Sequence, residues 1–146
     1  MTRAARGLLL LLAISAFACA SRATVKPRTG PLHERVGNQE GIQQIVTVFV
    51  ANLKQDERLA GRFANVDTAR LETNLTAFLC KTVGDTCDYQ GKPMPAAHAG
   101  LGITDEEFDA FMEVFVLSMN DADLPQQEQN DLIDRMMGMR AEVVGK

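Results

Sequence analysis

The chain of 146 residues has no tryptophan, one tyrosine, two histidines and three cysteines, and each scarcity removes a class of chemistry. With histidine only at His33 and His98, no HxxxH pair exists to seat zinc on a helix. A Ser-His-Asp or Cys-His relay would rest on unanchored spacing, and there is neither a CxxC nor a phosphate-cradling glycine loop. A hydrolase therefore fails for lack of parts. Positive charge is short too: 15 Lys and Arg against 19 Asp and Glu give a formal net charge of −4, which excludes a nucleic-acid binder, since phosphate contact needs clustered cations. No strand alternation or internal repeat is convincing, and the longest apolar run, Leu8 to about Ala18, is too short to span a bilayer comfortably.

What is present reads as an exported protein with one globular domain. Arg3 and Arg6 precede the apolar run in "MTRAARGLLLLLAISAFACA", the charged and hydrophobic regions of a signal peptide over residues 1–20. Ala16 and Ala18 suit cleavage before Cys19, and Ala18 with Ala20 suit cleavage before Ser21. "SAFAC" also resembles a lipoprotein box that would make Cys19 a lipid anchor. Ala16 and Phe17 depart from that box, so plain cleavage fits better. Residues 21–31, with two prolines and a glycine, read as a flexible tether. The domain is expected over 32–146; 46% hydrophobic residues and a mean hydropathy of −0.08 suit a packed core.

Within the domain the apolar spacing is helical. Ile42, Ile45, Val46, Phe49, Val50 and Leu53 recur at i, i+3, i+4 and i+7. A second helix opens at Asp67 or Thr68 and aligns Leu71, Leu75, Phe78 and Leu79. A third opens on Thr104 with Glu107 three residues on, a capping box, then aligns Phe108, Phe111, Met112, Phe115 and Val116. A last helix runs from about Pro125 through Leu132, Ile133, Met136 and Met137 to Gly138. The fold class expected is all-α.

In an oxidising compartment Cys80 and Cys87, seven positions apart with Gly84 between them, pair by default as a disulfide contributing roughly 2–3 kcal/mol. Two buried free thiols and a thiol metal site are the competing readings, the latter weakened by the lack of a nearby ligand histidine. His98 lies in "PMPAAHAGLGIT", where Pro95 can open a short helix that Gly100 and Gly102 end. A lone histidine is more often a hydrogen-bonded loop or core residue than a ligand. As a sole protein ligand it would suit haem iron, whose other bonds come from the porphyrin.

The stretches "LHERVGNQEGI", "VFVANLKQDERLAGRFANVDTARL", "YQGKPMPAAHAGLGIT" and "EEFDAFMEVF", in this order, resemble the group I truncated hemoglobins over about Leu32 to Val144. The resemblance implies a two-over-two helical sandwich around haem b, with His98 as the proximal ligand of the iron and a diatomic gas as the partner. Phe63 and Phe49 match aromatic positions on the distal side. Phe78, Leu79, Met94, Ile103, Phe108 and Phe111 match pocket-lining positions. Lys92 and Arg70 are candidate propionate partners, each more readily a solvated charge. Glycine doublets of the family are replaced here by Gly37-Asn38 and Gly84-Asp85.

The departures from the family lie on the distal side. A tyrosine usual after the distal phenylalanine is Val50 here. Leu71 is followed by Leu75 where glutamine is frequent, and Tyr89 belongs to the proximal loop. A hydrogen bond to bound oxygen is worth about 1–3 kcal/mol, so oxygen is expected to be held weakly, with carbon monoxide and nitric oxide less affected. Thr73 or Asn74 would be the substitute donors. The expected function is reversible gas binding, with an electron donor as a second partner and nitric oxide dioxygenase-like turnover as the enzymatic possibility. The alternatives are a six-coordinate haem protein for electron transfer or sensing, with Met94 in the sixth site, and a globin-like interaction module without haem.

Overall fold

The computed structural model describes residues 28–146. The expected signal peptide over 1–20, Cys19 and residues 21–27 of the expected tether lie outside the described residues. The end of the tether turns back onto the domain, where Arg28 Nη1 donates to the Arg35 carbonyl at 3.0 Å.

The described residues form helices α1 (Leu32–Arg35), α2 (Asn38–Leu53), α3 (Ala60–Phe63), α4 (Thr68–Thr82), α5 (Met94–His98), α6 (Asp105–Asp121), α7 (Gln126–Met137) and α8 (Arg140–Val143), with no strand among them. Helix α2 packs along α4 on one side and α6 on the other, α6 pairs with α7, and α1 bridges α2 to α7. Two helix pairs thus lie one over the other.

All six apolar positions of the α2 stripe are buried. At its centre the Phe49 ring meets Phe111 and Phe115 edge-on, at centroid distances of 4.8 and 5.1 Å, the arrangement that the ring quadrupole favours. The helix begins four residues before the stripe, because Asn38 to Gly41 form a polar first turn without apolar signal. Gly37 and Asn38 sit at φ +88° and +55°. Asparagine tolerates the left-handed region, so the Gly-Asn pair keeps a tight turn there. At Gly41 an added Cβ would run into the Val36 carbonyl, which makes glycine the condition for the approach of α1 to α2.

The expected caps form. Asp67 accepts from the Arg70 N–H at the start of α4. Thr104 and Glu107 close a reciprocal capping box on α6. In α7 the expected face needs correction: Met137 is 40% exposed, while Glu128 and Gln129 are buried beside Leu132 and Met136. The polar pair turns inward because partners await it. Arg35 Nη1 donates to Glu128 Oε1 at 3.1 Å, and Gln129 Nε2 donates to Asn120 Oδ1 and to the Leu124 carbonyl at 2.8 and 2.7 Å. Pro125 stands as the N-cap, one position before the helix proper.

Candidate functional site

His98 closes α5, a helix that opens after Pro93 and carries Pro95 in its first turn, where a missing N–H costs nothing. Gly100 and Gly102, at φ +78° and +57°, turn the chain away. The imidazole is half-buried, and its Nδ1 lies 2.8 Å from the Met94 carbonyl. A carbonyl only accepts, so Nδ1 carries the proton. In the neutral ring Nε2 is then bare, with its lone pair available to a metal and its ring orientation fixed by the backbone.

The apolar residues expected around this histidine divide into two sets. Phe49, Val50, Leu79 and Phe108 are buried in the core. Phe63, Leu71, Leu75, Phe78, Met94, Ile103 and Phe111 pack on that core but remain half-buried. The second set lies on α3, α4, α5, α6 and the loop after α5, and presents apolar surface of the kind a flat hydrophobic group would cover. Phe78 and Met94 share the wall of a cavity of about 460 Å³ with Tyr89 and Met139. The same wall carries three cations, Lys81, Lys92 and Arg135, and no carboxylate. His98 is not on this wall, and of the expected apolar set only Phe78 and Met94 are; an apolar floor with a cationic rim is nonetheless the kind of surface that suits a hydrophobic ring bearing carboxylates.

Of the two expected propionate partners, Lys92 therefore stands on the cavity, while Arg70 is exposed and is not part of its wall. Lys81, Arg135 and Met139 were not signalled by the resemblance. Lys81 follows Phe78 by three residues and so shares its helix face, a cue that was present. Arg135 and Met139 arrive from the other end of the chain, and nothing local marked them.

The hydroxyls that could serve as donors are engaged elsewhere. Thr73 donates to the Ala69 carbonyl at 2.9 Å. Tyr89 donates to the Lys92 carbonyl at 3.0 Å, and its ring packs edge-on against Phe78 at 5.5 Å. Cys80, buried at the end of α4, and Cys87, half-buried in the following loop, have Cα atoms 5.8 Å apart and sulfurs at bonding distance, as a disulfide requires.

Arg62 ties the far side of the site together. Its Nε and Nη2 grip both oxygens of Glu107 at 2.7 and 2.8 Å, and Nη1 donates to the Leu101 carbonyl at 2.7 Å. The guanidinium, followed by the Thr104 N–H, holds the Glu107 carboxyl below its ordinary range.

Comparison with known proteins places these features in a lineage. The bacterial-like globin family model matches residues 31–144. The group 1 truncated hemoglobin of Nostoc sp. is 29% identical over 115 residues, covering 79% of this chain and 98% of that protein. A second group 1 truncated hemoglobin, from Synechocystis sp., is 31% identical over 99 residues, covering 65% and 80%. Among solved structures, the Fe(III) truncated hemoglobin of Tetrahymena pyriformis superposes with a TM-score of 0.75 at 25% identity, over 79% of this chain and 98% of that one. The 2/2 hemoglobin of Synechococcus sp., solved with covalently attached heme, gives 0.74 at 26% identity, over 80% of this chain and all of that one (100%).

Proposed function

Since the chain belongs to the bacterial-like globin family, we propose that it is a haem protein that binds a diatomic gas through an iron ligated by His98. The observation that supports this is the His98 imidazole, whose Nδ1 is tied to the Met94 carbonyl at 2.8 Å, which leaves the Nε2 lone pair available to a metal. When bound, haem b supplies an iron with an open coordination position for oxygen, nitric oxide or carbon monoxide. His98 holds the metal, and the Met94 carbonyl raises the basicity of its ring. Phe63, Leu71, Leu75, Phe78, Ile103 and Phe111 exclude water from the ring faces. Lys92, with Lys81 and Arg135, neutralises the carboxylates at the cavity rim.

Val50, Leu71 and Leu75 offer no donor to a gas ligand; of the two substitute donors, the Thr73 hydroxyl is spent on its own helix and Asn74 is exposed. Weak retention of oxygen follows, with carbon monoxide and nitric oxide less affected. Nitric oxide turnover with the help of an electron donor fits the same pocket. Met94 lies one turn before His98 on the same short helix and therefore on the His98 side of any ring that His98 ligates. That placement disfavours it as a sixth ligand. The amino-terminal segment supports export, with Cys80–Cys87 oxidised outside the cytoplasm.

An absorption spectrum of the purified protein, taken with and without carbon monoxide, tests the proposal. A Soret band that moves on adding the gas is expected, and it should vanish in His98→Ala. A protein with no Soret band after haem reconstitution would refute haem binding. A band that carbon monoxide leaves unmoved would refute the open site.

A further inference from the structure

Given haem ligation by His98 as proposed above, we infer that the Cys80–Cys87 bond positions the proximal histidine by holding the loop that delivers α5. Helix α5 buries none of its five residues, and its packing on the core comes from the half-buried Met94, so core packing alone holds His98 weakly. On its C-terminal side it is clasped by the chain end: the Gly102 N–H donates to the Lys146 carbonyl and the Gly145 N–H to the Ile103 carbonyl, both at 2.9 Å, and α8 packs against it. The N-terminal side has no such clasp. Residues 86–92 make no backbone–backbone hydrogen bond in the described structure.

Three ties hold that segment instead. The disulfide fastens Cys87 to Cys80, which is fully buried in the last turn of α4. Tyr89 lays its ring against Phe78 of α4 and donates its hydroxyl to the Lys92 carbonyl. Gly91 allows this fold-back, because an added Cβ there would enter the Tyr89 ring. Two residues further on, Pro93 caps α5. The only covalent tie among the three thus joins α4, which carries Leu71, Leu75 and Phe78, to the segment that sets the entry of His98. A loop ordered in advance spares the ligand bond the cost of ordering it.

The test is haem retention. Haem transfer to excess apomyoglobin is timed from the carbonmonoxy ferrous form, comparing wild type, Cys80→Ser/Cys87→Ser, and wild type treated with a dithiol. In the last arm two electrons and two protons pass to the sulfurs, and the dithiol leaves as its cyclic disulfide. Haem loss is expected to quicken at least about tenfold in both altered forms, a change worth about 1.4 kcal/mol. The iron–histidine stretching band of the deoxy ferrous protein should shift or broaden alongside it. Tyr89→Leu should act in the same direction. Should the double variant fail to fold, the dithiol arm decides alone, with thiol titration establishing that both cysteines are reduced. Equal transfer rates and an unchanged iron–histidine band in fully reduced protein would overturn the inference, even if the melting temperature falls, because a merely structural staple moves only the latter. Wild type that takes up no haem would refute the haem assignment instead.

Discussion

Under the proposed haem ligation by His98, the side chains across the ring from it decide what the site holds on to. Leu75 on α4 is half-buried, and glutamine has nearly its volume, so Leu75→Gln installs a donor without the overpacking that tyrosine at the fully buried Val50 would bring. Oxygen dissociation measured by stopped flow is expected to slow by about one to two powers of ten, the worth of one hydrogen bond to a ligand with anionic character. Unaltered release in a variant that still binds carbon monoxide would mean that Leu75 does not face the gas. His98→Ala tests the proposed iron ligand. Because α5 buries no residue, the variant should keep its far-UV circular dichroism and lose its haem, and haem retention by that variant would show that another residue ligates the iron.

Helix α6 illustrates how an element's end is tied to the site. Thr104 caps it, Glu107 reaches back to the cap, and the same carboxylate holds Arg62, which holds the Leu101 carbonyl three residues after His98. Thr104→Ala should cost about 1 kcal/mol in urea unfolding, the usual worth of a cap. Arg62 lowers the Glu107 pKa, so the stability it lends is complete above the ordinary glutamate value of 4.5 and is lost as pH falls through the depressed native value. Acid unfolding should therefore begin at higher pH in wild type than in Glu107→Gln when each curve is normalised to its neutral-pH stability; coincident curves would remove Glu107 from the acid response. Caps of this kind were legible because they are local, as was the α2 stripe, where every apolar position faces one way. Helices α1, α3 and α8 were not legible, since four residues are too few to show a period. Of the cavity rim Lys92 was legible and Lys81 had a local cue, whereas Arg135 joins them only after α7 and α4 have been placed.

Across the whole molecule the least expected feature is a buried acid that joins the beginning of the domain to its end. Glu128 is 1% exposed, and the Arg35 guanidinium that meets it at 3.1 Å also pairs with the more exposed Asp131. Periodicity predicted an apolar face for α7 and missed Glu128, because an acid turns inward only when a cation from a distant element is there to receive it. The pair fastens α1 onto α7. Arg35→Met leaves the buried Glu128 uncompensated and should lower the urea midpoint clearly, whereas Arg35→Met with Glu128→Leu should recover most of that loss. If the double variant were no more stable than Arg35→Met alone, the cost would come from lost packing of the arginine stem and not from a stranded charge. Haem affinity should be unchanged in the double variant, since neither residue lines the cavity walled by Phe78 and Met94.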